Sequence, residues 1–292
     1  MQKIVPHLWF DTEAKEAARF YASIFPDSAV KSEAALHGTP SGSVDVVTVS
    51  LSGSDFMLLS AGPYFTFTPA ISFAVACASH EETDGIWSAL IDGGTALMPM
   101  GSYPFSERFG WVQDRYGLSW QVMYAGGGKA RPKMTTALLF VGPQCGKAGE
   151  ALRFYTDVFR DARIGEILRY GPGEAPDREG TIKQATFTLE GRAFSAMDSA
   201  YPHDFSFNEA VSLLVQCDTQ AEIDYYWGRL SAFPEHEQCG WLKDKFGVSW
   251  QIVPRAMGEL MAEKDSVKAQ RFTEAMLKMK KLDLAALEAA VG

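Results

Sequence analysis

The chain contains one sequence motif twice, and this duplication constrains its fold more than any other feature. Residues 108–123 read RFGWVQDRYGLSWQVM, and residues 238–253 read QCGWLKDKFGVSWQIV. The shared residues, in one register, are Gly110, Trp111, Asp114, Gly117, Ser119, Trp120 and Gln121 in the first copy and Gly240, Trp241, Asp244, Gly247, Ser249, Trp250 and Gln251 in the second. An internal repeat of this kind indicates a duplicated structural unit.

The repeat extends through both halves of the chain. Arg19-Phe20-Tyr21 recurs as Arg153-Phe154-Tyr155, and Trp87 recurs as Trp227. A repeat of this length is too long for a solenoid unit and suits a whole domain. We therefore predict a domain over 1–125, a linker over 126–133, a second domain over 134–254 and an extension over 255–292. Each domain is large enough to bury a core of its own.

Composition excludes several classes of protein. With 22% charged and 47% hydrophobic residues, the chain reads as an ordinary soluble protein. Its net charge of −9 argues against nucleic acid and anionic membranes as partners. No apolar run is long enough to span a bilayer, and the N-terminus lacks the pattern of a signal peptide. The four cysteines form no C-x-x-C pair, which favours free thiols and a cytoplasmic location over disulfides or a metal site.

One half of the chain reads as a repeating order of strands and helices. Val5–Phe10 has the pattern of a strand, and Asp11-Thr12 offers N-cap oxygens for a helix that follows. Val44–Leu51 alternates as a strand and returns through a turn at Ser52-Gly53-Ser54. The same order begins again at Ile71. The pattern predicts an α+β fold in which a strand, a helix and three strands form one unit, four times in the chain.

Three stretches together resemble a known family. These are Pro6-His7-Leu8-Trp9-Phe10-Asp11, the helix with Ala17, Phe20, Tyr21 and Phe25, and the closing motif that ends in Ser119-Trp120-Gln121. They resemble the vicinal oxygen chelate superfamily, which includes glyoxalase I, extradiol dioxygenases and bleomycin-resistance proteins. Within it they are similar to the PhnB-like branch, often labelled 3-demethylubiquinone-9 3-methyltransferase. The resemblance implies tandem domains built from four βαβββ units.

The resemblance also implies where a metal would bind in metal-dependent members. The corresponding positions fall near His7, Ser60, Ser72 and Gln121 in the first half, and near Ala137, Asp198, Ser212 and Gln251 in the second. Hard or borderline divalent ions prefer charged oxygen ligands, and the amide of Gln121 is neutral. We therefore expect no tightly bound metal and no other cofactor; any metal would be held by His7 and Gln121.

Strand alternation predicts a ligand pocket in the first half. If Leu8 and Phe10 face the helices, His7 and Trp9 face the open side of the sheet. Such a face suits a small organic ligand. The predicted pocket residues are His7, Trp9, Ser72 and Gln121, with Tyr103 and Phe105 from a stretch, Met98–Glu107, that only the first half carries.

Several of these residues have a plain structural interpretation as well. Gln121 and Gln251 either line a pocket or satisfy backbone groups inside a filled barrel. The extra stretch either covers a pocket or is a simple connection at a sheet edge. Asp114 and Asp244 read as turn residues that accept hydrogen bonds from nearby amides.

Two functions follow as hypotheses. The first is a small-molecule binding protein of this superfamily without a metal. The alternative is a metal-dependent lyase, isomerase or dioxygenase. The chain has no G-x-S-x-G, P-loop or H-E-x-x-H motif, and no glycine-rich nucleotide-binding turn that would support a methyltransferase.

The segment 255–292 has no counterpart in the first half. Apolar residues spaced for two short amphipathic helices are Val267, Phe272, Met276, Met279, Leu282, Leu284, Leu287 and Val291. Lysines occupy the opposite face. We predict a helical clamp across the domains or a homodimer contact, in preference to a helix lying on a membrane.

Overall fold

The computed structural model describes residues 2–126, 132–257 and 266–292. Most of the predicted linker, 127–131, and residues 258–265 at the start of the extension lie outside these ranges. The strands are β1 Ile4–Phe10, β2 Ala29–Thr39, β3 Gly42–Leu51, β4 Ser54–Ser60, β5 Ile71–Cys77, β6 Thr95–Tyr103, β7 Ser106–Gln113, β8 Ser119–Tyr124, β9 Met134–Phe140, β10 Ala162–Arg169, β11 Ile182–Leu189, β12 Arg192–Asp198, β13 Val211–Cys217, β14 Trp241–Lys243 and β15 Ser249–Pro254.

The helices alternate with these strands as predicted. They are α1 Ala14–Ile24, α2 His80–Ile91, α3 Ala148–Val158, α4 Gln220–Leu230, α5 Ser266–Leu277 and α6 Leu284–Val291. The side chains of Ser79, Thr219 and Asp283 cap α2, α4 and α6, since each accepts a hydrogen bond from an amide of the first turn. The α+β class predicted from the sequence is confirmed.

Each sheet combines strands from both sequence halves. A seven-stranded sheet has the order β14-β15-β13-β1-β4-β3-β2, and an eight-stranded sheet has the order β10-β11-β12-β9-β5-β8-β7-β6. The compact units follow the sheets: unit 1 contains 1–23, 27–66 and 208–292, and unit 2 contains 24–26 and 67–207. The expectation that each half would form a sheet of its own is therefore corrected. The repeats lie where the sequence indicates, but they exchange strands.

Strand β1 is the centre of unit 1. It pairs in parallel with β4 of the first half and antiparallel with β13 of the second half. The antiparallel register sets His7 opposite Ser212, and the parallel register sets His7 beside Met57. Directly opposed residues share one face of a sheet, so His7 and Ser212 face the same side.

Strand β9 plays the corresponding part in unit 2. It pairs in parallel with β12 and antiparallel with β5, so that Ala137 lies opposite Ser72. The two units therefore repeat one topology, with Ala137 in the place of His7.

The duplicated closing motif forms the same buried turn in each unit. One carboxylate oxygen of Asp114 accepts from the amides of Tyr116 and Leu118, and the other accepts from the indole of Trp120 at 2.9 Å. Asp244 repeats the arrangement, and its indole donor is Trp250 at 2.8 Å. The predicted turn role of both aspartates is confirmed, and the motif's tryptophan is a partner of the carboxylate.

The extra stretch of the first half is a strand hairpin at a sheet edge. It spans the end of β6 and the start of β7, with its turn at Pro104-Phe105. The fourth strand–helix–strand repeat begins at β13. In the described residues it has a short 3-10 turn, Pro234–His236, between α4 and β14, where the second repeat has the strand β6. The C-terminal extension reaches this position, because the amides of Cys239 and Gly240 donate to the carbonyls of Met279 and Lys280.

The two C-terminal helices pack on unit 1. Phe272, Met276, Leu282 and Leu287 are buried in one cluster with apolar side chains of β1, β3, β13 and β15. The side chain of Gln220 on α4 also bonds the backbone of Leu282 and Leu284. The extension thus holds together strands from both halves within one unit. A homodimer through these helices stays a prediction.

No helix in 2–126, 132–257 or 266–292 combines the length and the apolar character needed to cross a membrane.

We expect Phe272→Ala to destabilise unit 1 by about 3–5 kcal/mol, because it removes a buried ring from the cluster that attaches the extension. The measurement is the free energy of unfolding from denaturant titration. Val267→Ala, on the same helix and 56% exposed, is the matched control and should change stability by less than about 0.5 kcal/mol. Equal effects of the two substitutions would contradict the packing described.

Candidate ligand-binding site

Unit 1 encloses a cavity of about 730 Å³ on the open face of its sheet. The face follows from strand alternation: His7 and Trp9 on β1, Met57 and Leu59 on β4, and Leu214 on β13 all point into it. Met276 and Leu277 of α5 close it from the other side. The wall is mainly apolar, and it is formed by strands of both halves together with the C-terminal extension.

The cavity wall contains a small neutral polar group next to His7. Gln251 donates its side-chain amide to the hydroxyl of Ser212 at 2.9 Å, and Ser212 lies opposite His7 in the sheet. Ser249 lies beside Ser212 in the parallel pairing of β13 with β15. We call His7, Ser212, Ser249 and Gln251 the polar floor. All four are buried, and none carries a formal charge when the imidazole is neutral.

Two atoms of the polar floor lack a hydrogen-bond partner among the residues that the structure describes. They are Nδ1 of His7 and the hydroxyl oxygen of Ser249. An unsatisfied buried polar atom costs roughly 1–3 kcal/mol, so native structures seldom keep one without a reason. Neighbouring atoms cover both of these atoms, so a group in the cavity can reach them only if a side chain at the floor changes its rotamer.

Burial lowers the pKa of His7 to about 3, from an ordinary value of 6.5, because the charged imidazolium is desolvated. His7 is 3% exposed. The imidazole is therefore neutral at physiological pH and offers one donor and one acceptor.

Aromatic side chains surround this end of the cavity. The ring of Trp241 meets the ring of His7 edge-on, at 5.4 Å between centroids and 89° between planes. Trp9 contacts Trp241 at 6.1 Å and Phe65 at 5.0 Å, and its indole nitrogen donates to the carbonyl of Gly62. Tyr64 completes the group.

Three charged residues in the wall, Glu209, Lys243 and Arg255, have partners of opposite charge. Lys243 binds Glu209 at 2.8 Å, and His236 approaches the same carboxylate at 3.4 Å. Arg255 donates to the side-chain carbonyl of Gln216 at 2.8 Å and also pairs with Asp218. These pairs leave the apolar cavity without an unbalanced charge at its floor.

Unit 2 shows what the same positions do without a histidine. Gln121 donates to Ser72 at 2.8 Å, as Gln251 does to Ser212. The indole nitrogen of Trp111, however, donates to the hydroxyl of Ser119 at 2.7 Å. In unit 1 the matching serine, Ser249, has no partner.

The structure separates the pocket residues predicted from the sequence. His7 and Trp9 line the cavity of unit 1, whereas Ser72 and Gln121 belong to unit 2. We expected His7 and Gln121 to share a pocket; the amide that shares the sheet and the cavity with His7 is that of Gln251. The reason is the strand exchange between halves, which brings β15 rather than β8 into the sheet of β1.

Tyr103 and Phe105 also belong to unit 2 and are not among the residues that line this cavity. Their rings stack at 5.6 Å on the hairpin of β6 and β7, and Phe105 is exposed. A role for these two residues in a ligand pocket stays a prediction. The extra stretch is an edge hairpin, and the cover is supplied by the C-terminal extension.

Three residues that line the cavity, Trp241, Ser249 and Met276 of the C-terminal extension, were not predicted from the sequence. The sequence does single out Ser249 and Gln251, because both occur in each copy of the closing motif. Only the pairing of β1 with β13, which no local pattern encodes, assigns them to the cavity of His7.

The donor set of the polar floor does not fit a divalent metal. It supplies one imidazole, one amide already bonded to Ser212 and two hydroxyls, with no carboxylate or thiolate. Asp198, the one carboxylate among the eight mapped positions, accepts from the amides of Gly146, Ala148 and Ile182. Across the described ranges no cluster of three or more His, Cys, Asp or Glu side chains is placed to hold a metal ion.

The order of strands and helices, with one open face on each sheet, is that of the vicinal oxygen chelate fold. Glyoxalase I from Zea mays aligns with 90% of this chain and 98% of its own, with a TM-score of 0.54 and 11% identity. At that identity the likeness concerns the fold alone.

The sequence model of the family described as 3-demethylubiquinone-9 3-methyltransferase matches residues 2–123 and again residues 132–253. The chain therefore belongs to this family, in a tandem form. A putative 3-demethylubiquinone-9 3-methyltransferase, PhnB protein, from Bacillus cereus is 40% identical over 42% of this chain and 100% of its own, with a TM-score of 0.40. A protein from Pseudomonas aeruginosa is 22% identical over 43% and 99%, with a TM-score of 0.39. A comparison with curated proteins finds no match.

The depressed pKa of His7 predicts a loss of stability in acid. Because the folded-state pKa lies below the unfolded value, the unfolded chain binds the proton first as the pH falls. The contribution of neutral, buried His7 to the free energy of unfolding is fully present above about pH 6.5. It is lost as the pH falls towards 3, at up to ~1.4 kcal/mol per pH unit. Between about pH 6.5 and 5 the wild type should therefore lose ~2 kcal/mol more than His7→Gln.

The measurement is the free energy of unfolding of both proteins across this range. His37→Gln, at an exposed histidine, is the control and should follow the wild type. Parallel curves for the wild type and His7→Gln would show that the imidazole is not desolvated as described.

Proposed function

We propose that this protein binds a small, uncharged and mainly apolar organic molecule in the cavity of unit 1. The observation that carries the proposal is the pair of unsatisfied polar atoms, on His7 and Ser249, in the wall of an otherwise apolar cavity. A ligand with one hydroxyl or carbonyl group supplies the missing hydrogen bonds. The cavity volume, about 730 Å³, falls in the range of small-molecule sites.

The charge of the site favours a neutral ligand. A charged group at the polar floor would be desolvated beside an imidazole that burial keeps neutral, and it would find no counter-ion there. Glu209 and Arg255 line other parts of the wall and are already paired. The aromatic group around Trp9 suits a planar apolar body.

Neither metal-dependent catalysis nor methyl transfer enters this proposal. The polar floor lacks the charged oxygen or sulfur ligands that a divalent ion needs. The methyltransferase in the family's name would suggest a nucleotide-type cofactor site at a glycine-rich strand-to-helix turn in a parallel sheet. The sheets of this protein are mixed, and the proposed binding role uses no such cofactor site.

We expect the protein to bind the neutral fluorescent probe N-phenylnaphthylamine, and naphthol to displace it. Ser249→Ala should weaken naphthol binding by ~1–3 kcal/mol, because the ligand hydroxyl loses its partner at the floor. Ser119→Ala, the matching change in unit 2, should leave it unchanged. The affinities come from fluorescence titration and competition.

Naphthalenesulfonate tests the charge argument in the same assay. We expect it to compete far more weakly than naphthol. Equal competition by the anion, or equal effects of Ser249→Ala and Ser119→Ala, would contradict the proposed site. Native mass spectrometry of freshly purified protein then identifies any ligand that copurifies.

We also expect no stoichiometric divalent metal in protein purified without chelator. Elemental analysis measures this directly. About one metal ion per chain, lost in His7→Ala, would overturn the metal-free proposal and favour the metal-dependent alternative.

A further inference from the structure

We infer that His7 is a positioning residue for the indole of Trp241: its ring keeps the indole away from the hydroxyl of Ser249, and without that ring the indole would move to bond this hydroxyl. The inference deepens the proposed function, and only its ligand-binding consequence rests on that proposal. It comes from comparing the two units, which place the same residues in the same sheet positions with one difference at the floor.

The shared geometry makes the comparison close. Trp241 pairs with Gln251 on the neighbouring strand, as Trp111 pairs with Gln121. Both glutamines donate to a serine on the adjacent strand, at 2.9 Å and 2.8 Å. The tryptophans therefore start from the same register and stand beside the same polar pair.

The two indoles nevertheless make different contacts. In unit 2, where Ala137 takes the place of the histidine, Trp111 donates to Ser119 at 2.7 Å and satisfies its hydroxyl. In unit 1, Trp241 lies edge-on to the His7 ring, and the hydroxyl of Ser249 has no hydrogen-bond partner in the part of the chain that the structure describes. The serine hydroxyl is therefore satisfied in the unit with alanine and unsatisfied in the unit with histidine.

This difference assigns a cause. Trp241 does not donate to Ser249, as Trp111 does to Ser119. Its ring contacts the rings of His7 and Trp9 instead. An aromatic pair in this geometry contributes about as much as one buried hydrogen bond. The two positions of the indole are therefore close in free energy. A ligand hydroxyl that bonds Ser249 takes the place which the Trp111 indole occupies in unit 2.

A second feature near Trp241 is the competing explanation. The turn before it is bonded to the C-terminal extension, since Cys239 and Gly240 donate to the carbonyls of Met279 and Lys280. If this turn alone determines the position of the Trp241 indole, removing the imidazole ring of His7 will not change that position. The test is built to separate the two causes.

The first measurement needs no ligand. Protein with isotope-labelled tryptophan gives one indole N–H resonance per tryptophan, and Trp241→Phe and Trp111→Phe assign the two signals of interest. In His7→Ala we expect the Trp241 signal to move to the hydrogen-bonded position of Trp111. In His7→Phe, which keeps a ring, it should stay. An unmoved signal in His7→Ala, in protein whose other tryptophan signals show it folded, overturns the inference.

The second measurement follows binding of N-phenylnaphthylamine and naphthol. We expect His7→Ala to weaken naphthol binding by about tenfold or more. The double variant His7→Ala/Trp241→Phe should recover several-fold of this loss, because phenylalanine cannot donate to Ser249. A double variant weaker than the single one contradicts a hydrogen bond from the indole to Ser249. Absence of probe binding in the wild type contradicts the proposed function and leaves the resonance result to decide the role of His7.

Discussion

The antiparallel pairing of β1 with β13 is the contact on which the rest of unit 1 depends. It joins the first strand of the chain to the thirteenth, and it sets His7 opposite Ser212, whose other neighbour is Ser249 on β15. Without it, the apolar face of β1 would have no second wall, and no cavity would form. Lys3 strengthens the same junction through its ion pair with Glu222 at 2.7 Å.

Duplication gave this chain two copies of one arrangement and allowed them to differ. The buried turns at Asp114 and Asp244 are the same in both units, since each carboxylate satisfies two amides and an indole. Divergence is found at the open faces. Unit 1 has a histidine, His7, a tryptophan, Trp9, and the C-terminal helices, which unit 2 lacks at the matching positions. Unit 2 has an edge hairpin of β6 and β7 that the described residues of unit 1 lack.

The sequence predicted the strands and helices well, but it did not predict which strands pair with one another in the sheets. The second repeat of the strand order begins at Ile71, as predicted, with the strand Ile71–Cys77. Alternation predicted that His7 and Trp9 share one face of β1, and both side chains line the cavity. A period of two residues tells which face a side chain occupies, but it does not tell which strand lies alongside. Gln121 and Gln251 end identical motifs, so no local property could choose between them as the partner of His7. Only the long-range pairing decides.

The nesting of the two units has a consequence for how the protein is made. Residues 67–207 form nearly all of unit 2 and are inserted within the sequence of unit 1. During synthesis, β1 therefore leaves the ribosome long before β13 exists, and its apolar edge must wait while the inserted unit folds. Contacts this distant in sequence are slow to form, and waiting strands are prone to aggregate. The cavity can therefore form only after β13, β15 and the C-terminal helices have been synthesised.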